Sequence, residues 1–129
     1  MDVVVDTSVL LAVALDEPEK PALVERTRGA VLVAPEVQPF EIGNALSALC
    51  RRGRLSPEEV RQAWRICGRI PVRLVPVNVE ESLALATAHR IYAYDAFFLV
   101  CALRQRAALL TLDRGMARVA RAEGITMVE

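Results

Sequence analysis

The stretch Asp2-Val3-Val4-Val5-Asp6-Thr7-Ser8, running on into the apolar segment Val9–Leu15, decides the fold class. Three consecutive β-branched residues with no polar alternation suit a strand buried on both faces. The acid that ends the run is followed by Thr7 and Ser8, either of which can open a helix through about Leu15. A second helix is expected from Pro18 to near Gly29, and a second strand over Ala30–Ala34. Glu36–Arg52 reads as a helix ended by Gly53. Ser56-Pro57-Glu58-Glu59 carries an N-cap, a proline at the first position and a capping-box acid, starting a helix to about Arg69. Val72–Val75 is a short strand. Val79–Tyr92 and Tyr94–Arg106 read as helices, Ala108–Leu112 as a strand, Arg114–Glu123 as a helix stopped by Gly124, and Ile125–Val128 as a last strand. Strands alternating with helices predict an α/β fold: a central, mainly parallel sheet with helices on both faces, a three-layer α/β/α sandwich.

The bulk properties agree with one domain over residues 1–129. Apolar residues make up 53% of the chain and charged residues 25%, with acids and bases in balance. That is a globular composition. Zero net charge offers no general attraction for nucleic acid, so any hold on phosphate must be local. No apolar run approaches the roughly 18 residues of a membrane helix. No signal peptide is visible before the first strand, and a cytoplasmic protein is expected. Cys50, Cys67 and Cys101 have no CxxC spacing and read as buried free thiols. With His89 the one histidine, zinc is a poor fit.

In parallel α/β sheets, ligands bind outside the carboxyl ends of the strands. Asp6 directly follows the first strand and Asp113 follows Leu109-Leu110-Thr111-Leu112, so both belong at that edge. Glu41 lies in the early turns of the helix after the second strand, and Asp95 opens the helix that returns to Ala108. Four acids far apart in sequence are thus expected on one rim. Two carboxylates about 4 Å apart repel by about 4 kcal/mol at an effective dielectric near 20. A cation is therefore expected among them, and oxygen ligands favour Mg²⁺ or Mn²⁺. Each acid also has an ordinary explanation. Asp6, Asp95 and Asp113 suit helix starts. Glu41, flanked by Phe40 and Ile42 with Val37 and Ala45 on its face, is harder to explain without a partner. The arginines Arg51, Arg52, Arg54, Arg61, Arg65, Arg69 and Arg73 read as a solvated helix face, Trp64 as a core residue, and His89 as a surface helix residue.

Val3-Val4-Val5-Asp6-Thr7-Ser8, Glu41-Ile42-Gly43-Asn44-Ala45-Leu46, Tyr94-Asp95-Ala96 and Leu110-Thr111-Leu112-Asp113 together resemble the successive motifs of PIN domains. They are most similar to those of VapC-type toxins of toxin–antitoxin pairs. The resemblance covers essentially the whole chain. It implies a Mg²⁺- or Mn²⁺-dependent endoribonuclease acting on structured RNA and leaving 5′-phosphate ends. Asp6, Glu41, Asp95 and Asp113 would be catalytic and metal-holding. Thr7 or Ser8, Asn44 and Thr111 would assist with metal or phosphate. It also implies a homodimer silenced by a small antitoxin protein. One departure concerns the acid that some PIN domains carry shortly after the last motif: here Arg114-Gly115-Met116-Ala117 follows Asp113. A non-catalytic PIN-like module that binds RNA or protein is the alternative. An aspartyl-phosphate phosphohydrolase ranks last, because Ser8 stands where a second Asp is usual and Lys20 is the one lysine.

Overall fold

Val3, Val4 and Val5 are fully buried in the first strand, β1 (Asp2–Val5), of a computed structural model that describes residues Met1–Glu129. β1 pairs in parallel with β2 (Val31–Pro35) and with β4 (Ala108–Leu110), and β2 pairs in parallel with β3 (Val72–Val75). The strand order is β3-β2-β1-β4. Successive residues of a strand point to opposite faces. Val4, Val33 and Leu109 accordingly pack on one side, against Leu85, Phe98, Leu99 and Val119. These come from α5 (Val79–His89), α6 (Ala93–Gln105) and α7 (Arg114–Ala122). Val3, Val5 and Leu110 face the other core, with Leu10, Leu23, Leu46 and Ala63. Those belong to α1 (Thr7–Ala14), α2 (Lys20–Arg26), α3 (Gln38–Arg51) and α4 (Pro57–Arg69). The fold is the expected α/β/α sandwich, and the whole sheet is parallel.

The boundaries differ where local chemistry intervenes. Asp6, not Thr7 or Ser8, caps α1, accepting the Val9 amide on its own side chain. Pro18 lies in a turn, and α2 starts at Lys20 with Pro21 in its first turn. α5 stops at His89 because Arg90 takes a left-handed conformation (φ 56°). β4 ends at Leu110, since Thr111 turns to the site described below. The expected last strand over Ile125–Val128 is reduced to a single parallel bridge, Leu109 to Met127. The capping box of Ser56 and Glu59 forms as expected. Trp64 is not a core residue: it is 46% exposed and borders an apolar groove with Leu10, Ile42, Ile70 and Leu74. Cys67 and Cys101 are buried free thiols, whereas Cys50 is only half-buried. His89 is partly covered, with its Nε2 3.0 Å from Glu123 on the far end of α7. No helix is long and apolar enough to cross a membrane.

The strand order creates one special place. From β1 the chain goes to β2 on one side, yet β4 joins β1 on the other. At such a reversal, the connections leave in opposite directions and a crevice opens outside the carboxyl ends of the two strands. Asp6 ends β1 there, and Thr111 follows β4 there.

Candidate active site

Asp6 continues the ladder, its amide donating to the Leu110 carbonyl at 3.3 Å. Its side chain is only 3% exposed. A carboxylate so placed needs donors, and it has three. Ser8 Oγ donates to Oδ1 at 2.5 Å and the Val9 amide to the same oxygen at 3.3 Å. Thr111 Oγ1 donates to Oδ2 at 2.6 Å, tying the ends of β1 and β4 together. The network extends outward. Ser8 Oγ accepts the Leu112 amide (3.1 Å), and Thr111 Oγ1 accepts the Asp113 amide (2.9 Å). Asp113 Oδ1 accepts the Met116 amide at 2.9 Å and so caps α7. Gly115 leaves room for this cap, since a Cβ there would lie 3.2 Å from Asp113 Oδ1.

Glu41 stands in the first turn of α3, where Thr7 Oγ1 donates to its Oε1. Its face is apolar only in part: Ile42 is buried, but Phe40 projects into solvent. Asp95 stands half-buried in the first turn of α6. All four acids therefore sit where strands end or helices begin, at the reversal in strand order.

Their charges act on one another. Burial pushes the Asp6 carboxyl up, against donation from Ser8, Thr111 and Val9, and the charge of Asp113 adds to the rise. Burial likewise raises Glu41, against the bond from Thr7, with Asp6 and Asp95 pushing further. Asp95 is raised by burial and then by Asp113. The couplings close a ring: Asp113 to Asp6, Asp6 to Glu41, Glu41 to Asp95, Asp95 to Asp113. Every ion pair of the chain lies elsewhere, so no arginine or lysine offsets these carboxylates. No three acidic side chains converge closely enough, as they stand, to grip an ion between them. The hydroxyls of Ser8 and Thr111 take up the oxygens of Asp6 instead. The donor set still suits a hard divalent cation: oxygen only, anionic, and without a competing basic side chain.

A sequence profile described as PIN domain matches residues 3–122. The chain belongs to the PIN domain family. It is similar to Ribonuclease VapC3 of Pyrobaculum aerophilum, 29% identical over 126 aligned residues that cover 91% of this chain and 93% of the relative. Among solved structures, PAE2754 from Pyrobaculum aerophilum superposes with a TM-score of 0.73 at 23% identity, covering 99% of this chain and 84% of that one. The structure of VapBC2 from Rickettsia felis bound to a DNA fragment from their promoter gives a TM-score of 0.67 at 12% identity, covering 98% and 97%. At these identities the structures attest the fold.

Within this PIN domain, three of the four expected helpers are engaged: Thr7 on Glu41, and Ser8 and Thr111 on Asp6. Asn44 is exposed one turn beyond Glu41, and its side chain makes no hydrogen bond. One contributor was not apparent from the sequence. Gln38 is 1% exposed and its Nε2 donates to the Val5 carbonyl at 2.8 Å, pinning the start of α3 to the end of β1. That bond sets Glu41 against Asp6. Its signal was a lone amide three residues before an acid in an apolar stretch, which periodicity alone does not distinguish from a surface position.

Proposed function

We propose that this PIN domain is a Mg²⁺- or Mn²⁺-dependent endoribonuclease that hydrolyses phosphodiester bonds of structured RNA, the toxin of a VapBC-type pair. The observation that carries the reading is Asp6: a buried carboxylate at the strand-order reversal, held by neutral hydroxyls and coupled to further acids. Buried acids without cationic partners cost stability. A fold that keeps three raised carboxyls on one rim uses them for a ligand. Asp6, Glu41, Asp95 and Asp113 would hold the ion. Bound there, a divalent cation supplies a water of lowered pKa and positive charge for the leaving oxygen. Thr7, Ser8 and Thr111 fix the carboxylates in place, and Asn44 offers an amide toward the substrate phosphate. The name of the VapC3 relative supports RNA as substrate. The VapBC2 neighbour supports a small antitoxin as partner. A homodimer in the cytoplasm completes the reading.

That no three acids stand within joint reach of an ion favours, as the second reading, a module that binds RNA without cutting it. One experiment separates the two. A panel of tRNA and rRNA fragments is incubated with the protein and Mn²⁺, with Asp6→Asn as control. Cleavage that needs Mn²⁺ and vanishes in the folded variant is the expected result. Full metal-dependent cleavage by Asp6→Asn would sink the assignment of the site. Intact RNA under every metal condition would leave the binding module.

A further inference from the structure

Both tyrosines and one of the three phenylalanines of the chain lie exposed, and all three stand beside the acids. Phe40 is 77% exposed, Tyr92 83% and Tyr94 52%. Phe40 directly precedes Glu41, and Tyr94 directly precedes Asp95, so each ring is carried on a Cα about 3.8 Å from that of a site acid. Tyr92 is three residues before Asp95, the spacing that puts two side chains on one side of a helix start. Leaving such rings in water forgoes a large apolar burial. Tyr92 has a second cost. It occupies the N-cap of α6 and makes no side-chain cap bond. Ser, Thr, Asp or Asn in that position stabilises a helix by about 1 kcal/mol. Tyr94 is steadied in place, edge-on to Phe97 with ring centroids 5.6 Å apart.

The strand that enters this site meets a difficulty. Its phosphates approach four acids, and none of these is paired with a cationic side chain. A divalent ion offsets charge at the scissile phosphate but not along the flanking nucleotides. Affinity for those must come from something other than ion pairing, and base–aromatic stacking supplies it. Glu41 and Asp95 raise one another's neighbourhood in negative potential, so the starts of α3 and α6 border the same site. Phe40 thus stands on one flank and the two tyrosines on the other.

We propose that Phe40, on one side, and Tyr92 with Tyr94, on the other, stack unpaired nucleobases that flank the scissile phosphate, so that the site selects an unpaired segment within its RNA. The proposal rests on the ribonuclease reading above. A duplex buries its base faces in its own stack, and its A-form grooves offer no ring-sized opening to these side chains. Unpaired loops and ends splay their bases outward and can be stacked. These three residues are therefore specificity-determining, not catalytic.

The test is a titration of single-stranded RNA carrying 2-aminopurine into the whole protein, with Ca²⁺ as the divalent ion. Stacking on a ring quenches the probe, so contact is read without any cleavage. Phe40→Ala and Tyr92→Ala are each expected to weaken binding by roughly fivefold to a hundredfold and to relieve quenching. Tyr92→Phe, which keeps the ring, is expected to stay within about twofold of the unmodified protein. In a hairpin RNA, Mn²⁺-dependent cuts fall in the loop. Wild-type affinity in both alanine variants overturns the proposal, as does equal binding and quenching with duplex RNA of the same length. The ribonuclease reading fails separately: quenched, ring-dependent binding with no cleavage under Mn²⁺ sinks that reading and leaves the stacking role standing.

Discussion

Thr111→Val removes one oxygen and keeps the shape of the side chain. That oxygen does two things: it donates to Asp6 Oδ2 at 2.6 Å and accepts the Asp113 amide at 2.9 Å. A hydrogen bond to a charged acceptor contributes about 1.5–3 kcal/mol. The Asp113 amide belongs to an exposed residue and can turn to water, so its loss adds little. The variant should lose about 2–3 kcal/mol in denaturant unfolding at about pH 7. That is a large share of the 5–15 kcal/mol typical of a native domain.

The pH dependence distinguishes this cause from a packing defect. The folded Asp6 carboxyl lies above its ordinary value, chiefly through burial. Such a group favours folding most in acid, where both states hold the proton. Its contribution declines as pH rises past the ordinary carboxylate value toward the folded one. In acid, Thr111 faces a neutral carboxyl, and that bond contributes only about 0.5–1.5 kcal/mol. The deficit of Thr111→Val should therefore widen between about pH 4 and pH 7. Thr111→Ser, which keeps the hydroxyl, should lose less than Thr111→Val at every pH. An equal deficit at both pH values, or an equal loss for Ser and Val, would refute the role given to the hydroxyl.

Gln38→Leu leaves the buried Val5 carbonyl without its donor and should cost about 1–3 kcal/mol. If Gln38 sets Glu41 against Asp6, kcat for RNA cleavage falls in that variant while KM stays near the original, which steady-state kinetics would show. Mn²⁺ should raise the melting temperature at neutral pH, with about 2.7 kcal/mol gained at a hundred times its Kd. The gain should shrink as pH falls, because protons compete for Asp6, Glu41 and Asp95, all of which hold them more tightly than ordinary carboxyls. Burial pushes the Cys101 thiol up to about 11 and the Cys67 thiol upward as well. In native protein a thiol reagent should therefore label Cys50 first, with Cys67 and Cys101 released only by denaturant.

The architecture was legible because one signal dominates it. Val3-Val4-Val5 has no polar alternation, and burial on both faces is the only setting that suits it. The rim was legible for the same reason, since helices must start where parallel strands end. Other features escaped because tertiary contacts decide them. Ile125–Val128 has the composition of a strand, yet only Leu109 to Met127 pairs. Trp64 has the residue type of a core position, yet it lies at the lip of a groove. Gln38 looks like a surface amide, and only the proximity of the Val5 carbonyl makes it structural. The expected environment of Glu41 was half right, because Ile42 turns inward while Phe40 turns out.

The ordinary and the functional readings of Asp6 and Asp113 turn out to be the same structure seen at two scales. Both residues are helix caps, as their chain positions suggest. Capping alone, however, asks for one oxygen at an exposed helix end, and Asp6 exceeds that requirement. It is buried, its second oxygen is held by Thr111 from another strand, and its charge meets that of Asp113. Asparagine would cap α1 about as well without a buried charge. The capping role therefore explains why an Asp, Asn, Ser or Thr stands there, and the unrelieved charge explains why it is Asp. The same reasoning applies to Glu41, whose bond from Thr7 any acceptor would satisfy and whose repulsion from Asp6 and Asp95 a neutral residue would avoid. A fold that keeps these charges against its own stability keeps them for what binds between them.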